Sequence, residues 1–154
     1  MRRLSGDDVE VVNENLVELC LFSTGGITYA AEIEFITDII EMCPVTFVPG
    51  LPRYIKGIIN LRGKIVPVMD LRMKINPKAD YTINDVYPDR SCIVVIRREG
   101  VSCGLMVESV IGIESFDKKT MAENPDKAGL VSHIFRRGED MVQLLESMKL
   151  QNQF

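Results

Sequence analysis

The stretch Tyr54 to Ile75, YIKGIINLRGKIVPVMDLRMKI, decides how the rest of the chain is read. Apolar residues Ile58, Ile59 and Leu61 run into a polar break at Arg62-Gly63-Lys64, after which Ile65, Val66, Val68, Met69 and Leu71 resume the apolar pattern. Two such runs around a short polar break predict a β-hairpin. Gly63 takes φ > 0 at the turn without steric cost, while Arg62 and Lys64 stay near water. Pro67 cannot donate to a ladder, so its strand is expected at an edge or bulged at that point. Asp70 then caps one helical turn through Lys74, with Leu71 and Ile75 meeting at i and i+4.

Working outward, Pro44, Pro49, Gly50 and Pro52 break regular structure and make Cys43 to Arg53 a connecting loop. Upstream, the apolar run from Leu16 to Phe22 closes on Gly25-Gly26 and restarts at Ile27, a second hairpin. From Glu32 to Glu41 a short helical turn followed by a strand is expected. Downstream, Asn76 to Ser91 reads as polar loop. Ile93 to Ile96 and Cys103 to Val107, joined at Glu99-Gly100, form a third hairpin that stays extended through Ile113. Asp117 to Gly129 reads as a charged loop, Leu130 to Phe135 and Met141 to Leu145 as the last strands, and Glu146 to Leu150 as a terminal helical turn. Apolar residues on both faces of the strands argue against a single open sheet and favour two packed barrels or a sandwich.

At 154 residues the chain suits one domain or two small packed lobes. The expected division is a flexible leader over 1–13, a two-lobed domain over 14–150 and a tail over 151–154. The charged fraction is 26% and the net charge −4, which argues against general nucleic-acid binding. Yet seven basic residues (Arg53, Lys56, Arg62, Lys64, Arg72, Lys74, Lys78) stand against one acid, Asp70, between positions 53 and 78. That run is either a solvated face or a docking surface for an acidic partner. No apolar run reaches the roughly 20 residues that span a bilayer, and no apolar h-region follows Arg2 and Arg3. A cytoplasmic location, without direct membrane insertion, is the expectation.

Catalytic patterns are sparse. Cys20, Cys43, Cys92 and Cys103 form no paired C-x-x-C units and read as reduced, mostly buried residues, so neither a metal nor a cofactor is expected. His133 is the single histidine and lies in an apolar strand, where a structural role outweighs that of a base in a small enzyme. Phosphate-binding glycine motifs are absent, and Gly25-Gly26 is explained by its hairpin. Asp38 and Arg62 are each a charge among apolar residues, which predicts that they pair.

Pro49-Gly-Leu-Pro52, Tyr54-Ile-Lys-Gly57, Asn60-Leu-Arg-Gly63, Ile65-Val-Pro67 and Asp70-Leu-Arg72, in that order and spacing, resemble the CheW-type adaptors of bacterial chemosensory arrays. The resemblance extends to Leu21-Phe22-Ser23, Gly26 and Tyr29, and to Gly104-Leu-Met-Val-Glu-Ser-Val110, so that it covers roughly residues 14 to 150. Asp38 stands where the family commonly has Glu, and Glu108 where it commonly has Asp. The final strand, Leu144-Leu-Glu-Ser-Met-Lys-Leu150, departs further. The resemblance implies an all-β fold of two interlocked five-stranded SH3-like barrels with short helical turns. It also implies a non-catalytic adaptor that docks on the regulatory domain of the histidine kinase CheA and on the cytoplasmic tip of a methyl-accepting chemoreceptor. Carried over by motif position, Ile36, Asp38, Gly57, Arg62, Val110 and Ile113 are the expected partner-binding residues. Ile36, Val110 and Ile113 could equally serve the core, and Gly57 a backbone requirement. The alternatives are an adaptor of another chemosensory pathway, such as surface motility or gene regulation, and the small enzyme using His133.

Overall fold

The structure is a computed structural model that describes residues 14–75 and 89–151. The expected leader, most of the loop from Asn76 to Ser91 and the end of the tail lie outside the described residues. The chain opens with the hairpin β1 (Leu16–Thr24) and β2 (Ile27–Glu32), then passes through a single 3₁₀ turn at Ile33–Phe35 into β3 (Ile36–Glu41). After the proline-rich loop come β4 (Ile55–Leu61), β5 (Lys64–Asp70) and the short helix α1 (Leu71–Ile75). Then follow β6 (Cys92–Arg98), β7 (Val101–Val107), β8 (Ser109–Asp117), a 3₁₀ turn at Lys118–Thr120 and the two-residue β9 (Ala122–Glu123). The strands β10 (Val131–Arg137) and β11 (Asp140–Leu145) and the helix α2 (Ser147–Gln151) close the described chain.

Two sheets result, in the order β8-β1-β2-β11-β10-β9 and β3-β6-β7-β5-β4. The chain starts in the first sheet, leaves it after β2 to build all of the second, and returns at β8. That threading makes the two units interlocked, and each has the character of an SH3-like barrel. β9 is the extra short rung on the first.

Three hydrophobic cores show why alternate residues of each strand are apolar on both faces. Leu19, Leu21, Ala30, Phe135, Val142 and Leu144 fill the first barrel. Ile59, Val66, Val68, Ile93, Val95 and Met106 fill the second. Between them lies a shared core that includes Phe22 and Tyr29 from one side and Val94, Ile96 and Leu105 from the other. Strand β6 shows the logic: Ile93 and Val95 point into their own barrel, Val94 and Ile96 into the shared layer. Each such buried side chain is worth roughly 1.5–3 kcal/mol of transfer free energy. At the junction, Glu108 donates its N–H to Ser23 O at 3.0 Å and its carboxylate accepts from the N–H of Gly25. The corner between β7 and β8 is thereby fixed on the first hairpin.

Pro67 corrects an expectation. Its strand β5 is interior, flanked by β4 and β7, and no bulge falls at Pro67 itself. Counting out from the two-residue turn, Leu61 and Lys64 form a hydrogen-bonded pair, so Ile58 and Pro67 fall on a non-hydrogen-bonded one. The proline nitrogen therefore points toward β7, where pairing begins only at Val68 with Gly104. The register shift lies on β4, between Ile55 and Gly57.

Candidate partner-docking site

The turn between β4 and β5 is two residues long, with φ of 50° at Arg62 and 82° at Gly63. Positive φ at both positions is the type I′ geometry that matches the twist of a hairpin. Gly63 adopts it freely, and its N–H donates to Asn60 Oδ1 at 2.9 Å. Arg62 pays a steric penalty there that a glycine or asparagine escapes. Its guanidinium donates from Nη2 to both Asp38 carboxylate oxygens, at 2.8 and 2.9 Å. The predicted Asp38–Arg62 pair is thus present.

Its position gives it a purpose. β3 and β4 are the two edges of the second sheet, so the pair ties the free edge at β3 to the hairpin at the opposite end, across the seam that main-chain hydrogen bonds leave open. Beside it opens a cavity of about 370 Å³ lined by Thr37, Leu61, Val66, Val95, Arg97 and Ser102. The Arg62 side chain is 71% exposed and that of Asp38 15%. The hydrogen bond from Arg62 holds the Asp38 carboxyl below its ordinary value.

Ile36 lies on the same strand as Asp38, half-buried against the shared core. Gly57 sits at the bulge of β4 with φ of 146°, and a Cβ there would come within 2.0 Å of Thr46 O. The close approach has a cause: Thr46 and Ile58 exchange two main-chain hydrogen bonds of 2.9 Å, which lay the proline-rich loop along β4. Gly57 answers a backbone need, at a bulge and not at a turn. Val110 and Ile113 are on β8, the edge of the other sheet. Val110 packs against the shared core, whereas Ile113 is 58% exposed. The six residues therefore form two groups, one around the seam of the second barrel and one along β8.

Sequence reasoning missed the exposure of Phe47 and Ile65, at 74% and 61%. Ile65 belongs to a strongly apolar strand pattern, and its proximity to the turn was the available signal. His133 is half-buried on β10, with Nδ1 3.0 Å from the hydroxyl of its neighbour Ser132, which lies 3.4 Å from Leu144 O in donor geometry. Among the described residues, no three His, Cys, Asp or Glu side chains gather so as to hold a metal ion, and no helix is long and apolar enough to cross a membrane.

The sequence profile of the CheW-like domain matches residues 18–153. This chain belongs to the CheW-like family. The chemotaxis protein CheW of Rhizobium meliloti is 30% identical over 122 residues, 79% of this chain and 75% of that protein. Protein PilI of Pseudomonas aeruginosa is 27% identical over 104 residues, 66% of this chain and 54% of that protein. Among solved structures, the scaffolding protein TtCheW of Thermoanaerobacter tengcongensis superposes with a TM-score of 0.74 at 25% identity, over 84% of this chain and 88% of that one. The CheW family is one of scaffolds and adaptors, and the interlocked β architecture described above is the one this chain shares with TtCheW.

Proposed function

We propose that this chain is a non-catalytic cytoplasmic adaptor that couples the helical tip of a chemoreceptor to the regulatory domain of the histidine kinase CheA. The observation that carries the reading is the Asp38–Arg62 pair at the mouth of the second barrel, whose arginine is exposed and lies within the stretch that bears the family motif. Both contacts to Asp38 come from one nitrogen of Arg62, and a guanidinium carries five N–H donors. A carboxylate on a partner can therefore be engaged while the seam stays tied. An amphipathic helical hairpin would lay its apolar face into the groove between the barrels, against Ile36, Val110 and Ile113. Gly57 supports the docking surface by admitting the loop along β4. Family membership, the scaffolding relative and the exposed basic residues Arg53, Arg62 and Lys64 support the same reading. Residues 14–150 act as one unit in it.

The test is a pull-down of the full chain with a CheA regulatory domain and, separately, with a receptor tip. Binding to both is expected, and retention of neither removes the reading. A second version has the same adaptor chemistry serve another chemosensory pathway. Receptors and kinases encoded beside the gene would separate the two versions.

A further inference from the structure

The first barrel has a seam of its own. Its strand order ends at β8 on one side and at β10 with the two-residue β9 on the other. Two side-chain rungs cross that gap. Arg137 on β10 donates from Nε to Glu114 Oε2 on β8 at 2.8 Å, and its Nη2 lies 2.6 Å from the same oxygen. Beside them the rings of Phe116 and Phe135 lie with centroids 4.7 Å apart and planes at 58°. Residues 114 and 116 are two apart on one strand, and 135 and 137 two apart on the other, so both rungs stand on the same face. The aromatic rung belongs to the core of the first barrel. The ionic rung is its outer neighbour and does for this barrel what Asp38 and Arg62 do for the other.

β8 is a strand with little else to hold its outer edge. Among the described residues its main chain pairs with β1 alone, and that register slips between Leu21 and Phe22, opposite the segment from Val110 to Gly112. The exposed face of the strand carries Ile111, Ile113 and Ser115, while Glu114 and Phe116 point the other way. We propose that Glu114 and Arg137 are positioning residues that set the lateral placement of β8, and through it the placement of Val110 and Ile113 against a helical partner. This rests on the docking reading given above.

The experiment compares the full-length wild type with Arg137→Ala and Arg137→Lys. Amide hydrogen exchange is measured at β8 and, as an internal reference, at β6 and β7, and affinity is measured for a receptor-tip helical hairpin. Arg137→Ala is expected to speed exchange along β8 selectively and to weaken tip binding by about twofold to fivefold, the range an exposed ion pair commands. Arg137→Lys, which keeps a cation within reach of Glu114, is expected to stay within about twofold of wild type. Wild-type affinity in Arg137→Ala, exchange that rises equally in all three strands, or failure of the lysine variant to recover binding overturns the proposal. If the wild type itself does not bind the tip, the docking reading fails instead, and the exchange comparison still decides whether the rung holds β8.

Discussion

Arg62 carries two demands that pull in opposite directions. Its backbone sits at φ 50°, where a Cβ crowds the following carbonyl, while its guanidinium ties Asp38 across the barrel seam. Asparagine before glycine is the preferred pair for a type I′ turn. Arg62→Asn should therefore leave unfolding stability within about 1 kcal/mol of wild type, since an exposed pair contributes little and the turn is relieved of strain. Under the proposed adaptor role, coupling of receptor to kinase should nevertheless fall. The Asp38 carboxyl provides a direct check. In the wild type its value is depressed by Arg62, so the stabilisation is complete above the ordinary carboxylate value, about 3.9. It is lost as pH falls through the lowered one. In Arg62→Asn an NMR titration should show that carboxyl moving back up toward its ordinary range; an unmoved titration would mean the depression has another source.

Among the elements, α1 is a single helical turn of five residues that depends heavily on one side chain. Asp70 is fully buried, and its Oδ1 accepts from the N–H of Arg72 at 3.0 Å while Oδ2 accepts from Arg72 Nη2 at 2.8 Å. Removing one partner of a buried ion pair costs about 3–5 kcal/mol, because the remaining charge stays in a poorly solvated place. Asp70→Ala should lower stability by that amount in urea unfolding, and a loss below about 1 kcal/mol would show that the pair is hydrated. The cap was legible in the sequence because it needs only a local pattern, an aspartate before an apolar turn. So were the three hairpins, each marked by a glycine pair or a charged residue before glycine. The interior position of β5 was not legible: Pro67 breaks a rule that depends on which side its nitrogen faces, and that is fixed by the distant strand β7. Of the candidate site, the Asp38–Arg62 pair could be read as two charges needing each other. The rung from Glu114 to Arg137 could not, since both sit in strands where exposed charges are ordinary.

For the molecule as a whole, the shared core makes the stability of one barrel depend on the other. Leu105 is fully buried in that layer, where it joins Phe22 and Tyr29 from the first barrel. Leu105→Ala should cost about 2–5 kcal/mol. Resonances from both barrels should vanish at one lowered urea concentration, whereas two separate transitions would show the lobes to be independent.

The threading of the chain also orders its synthesis. The five strands of the second barrel are consecutive, from Ile36 to Val107, while the first barrel begins with β1 and β2 and waits for β8 to β11. Cys20 pairs with Ile113, so β1 meets its outer neighbour only after 113 − 20 = 93 further residues have been added. On the ribosome all strands of the inserted barrel emerge before the outer one can close. Until then the β1–β2 hairpin presents unpaired edges, and the nascent chain is most open to wrong strand pairing in that interval.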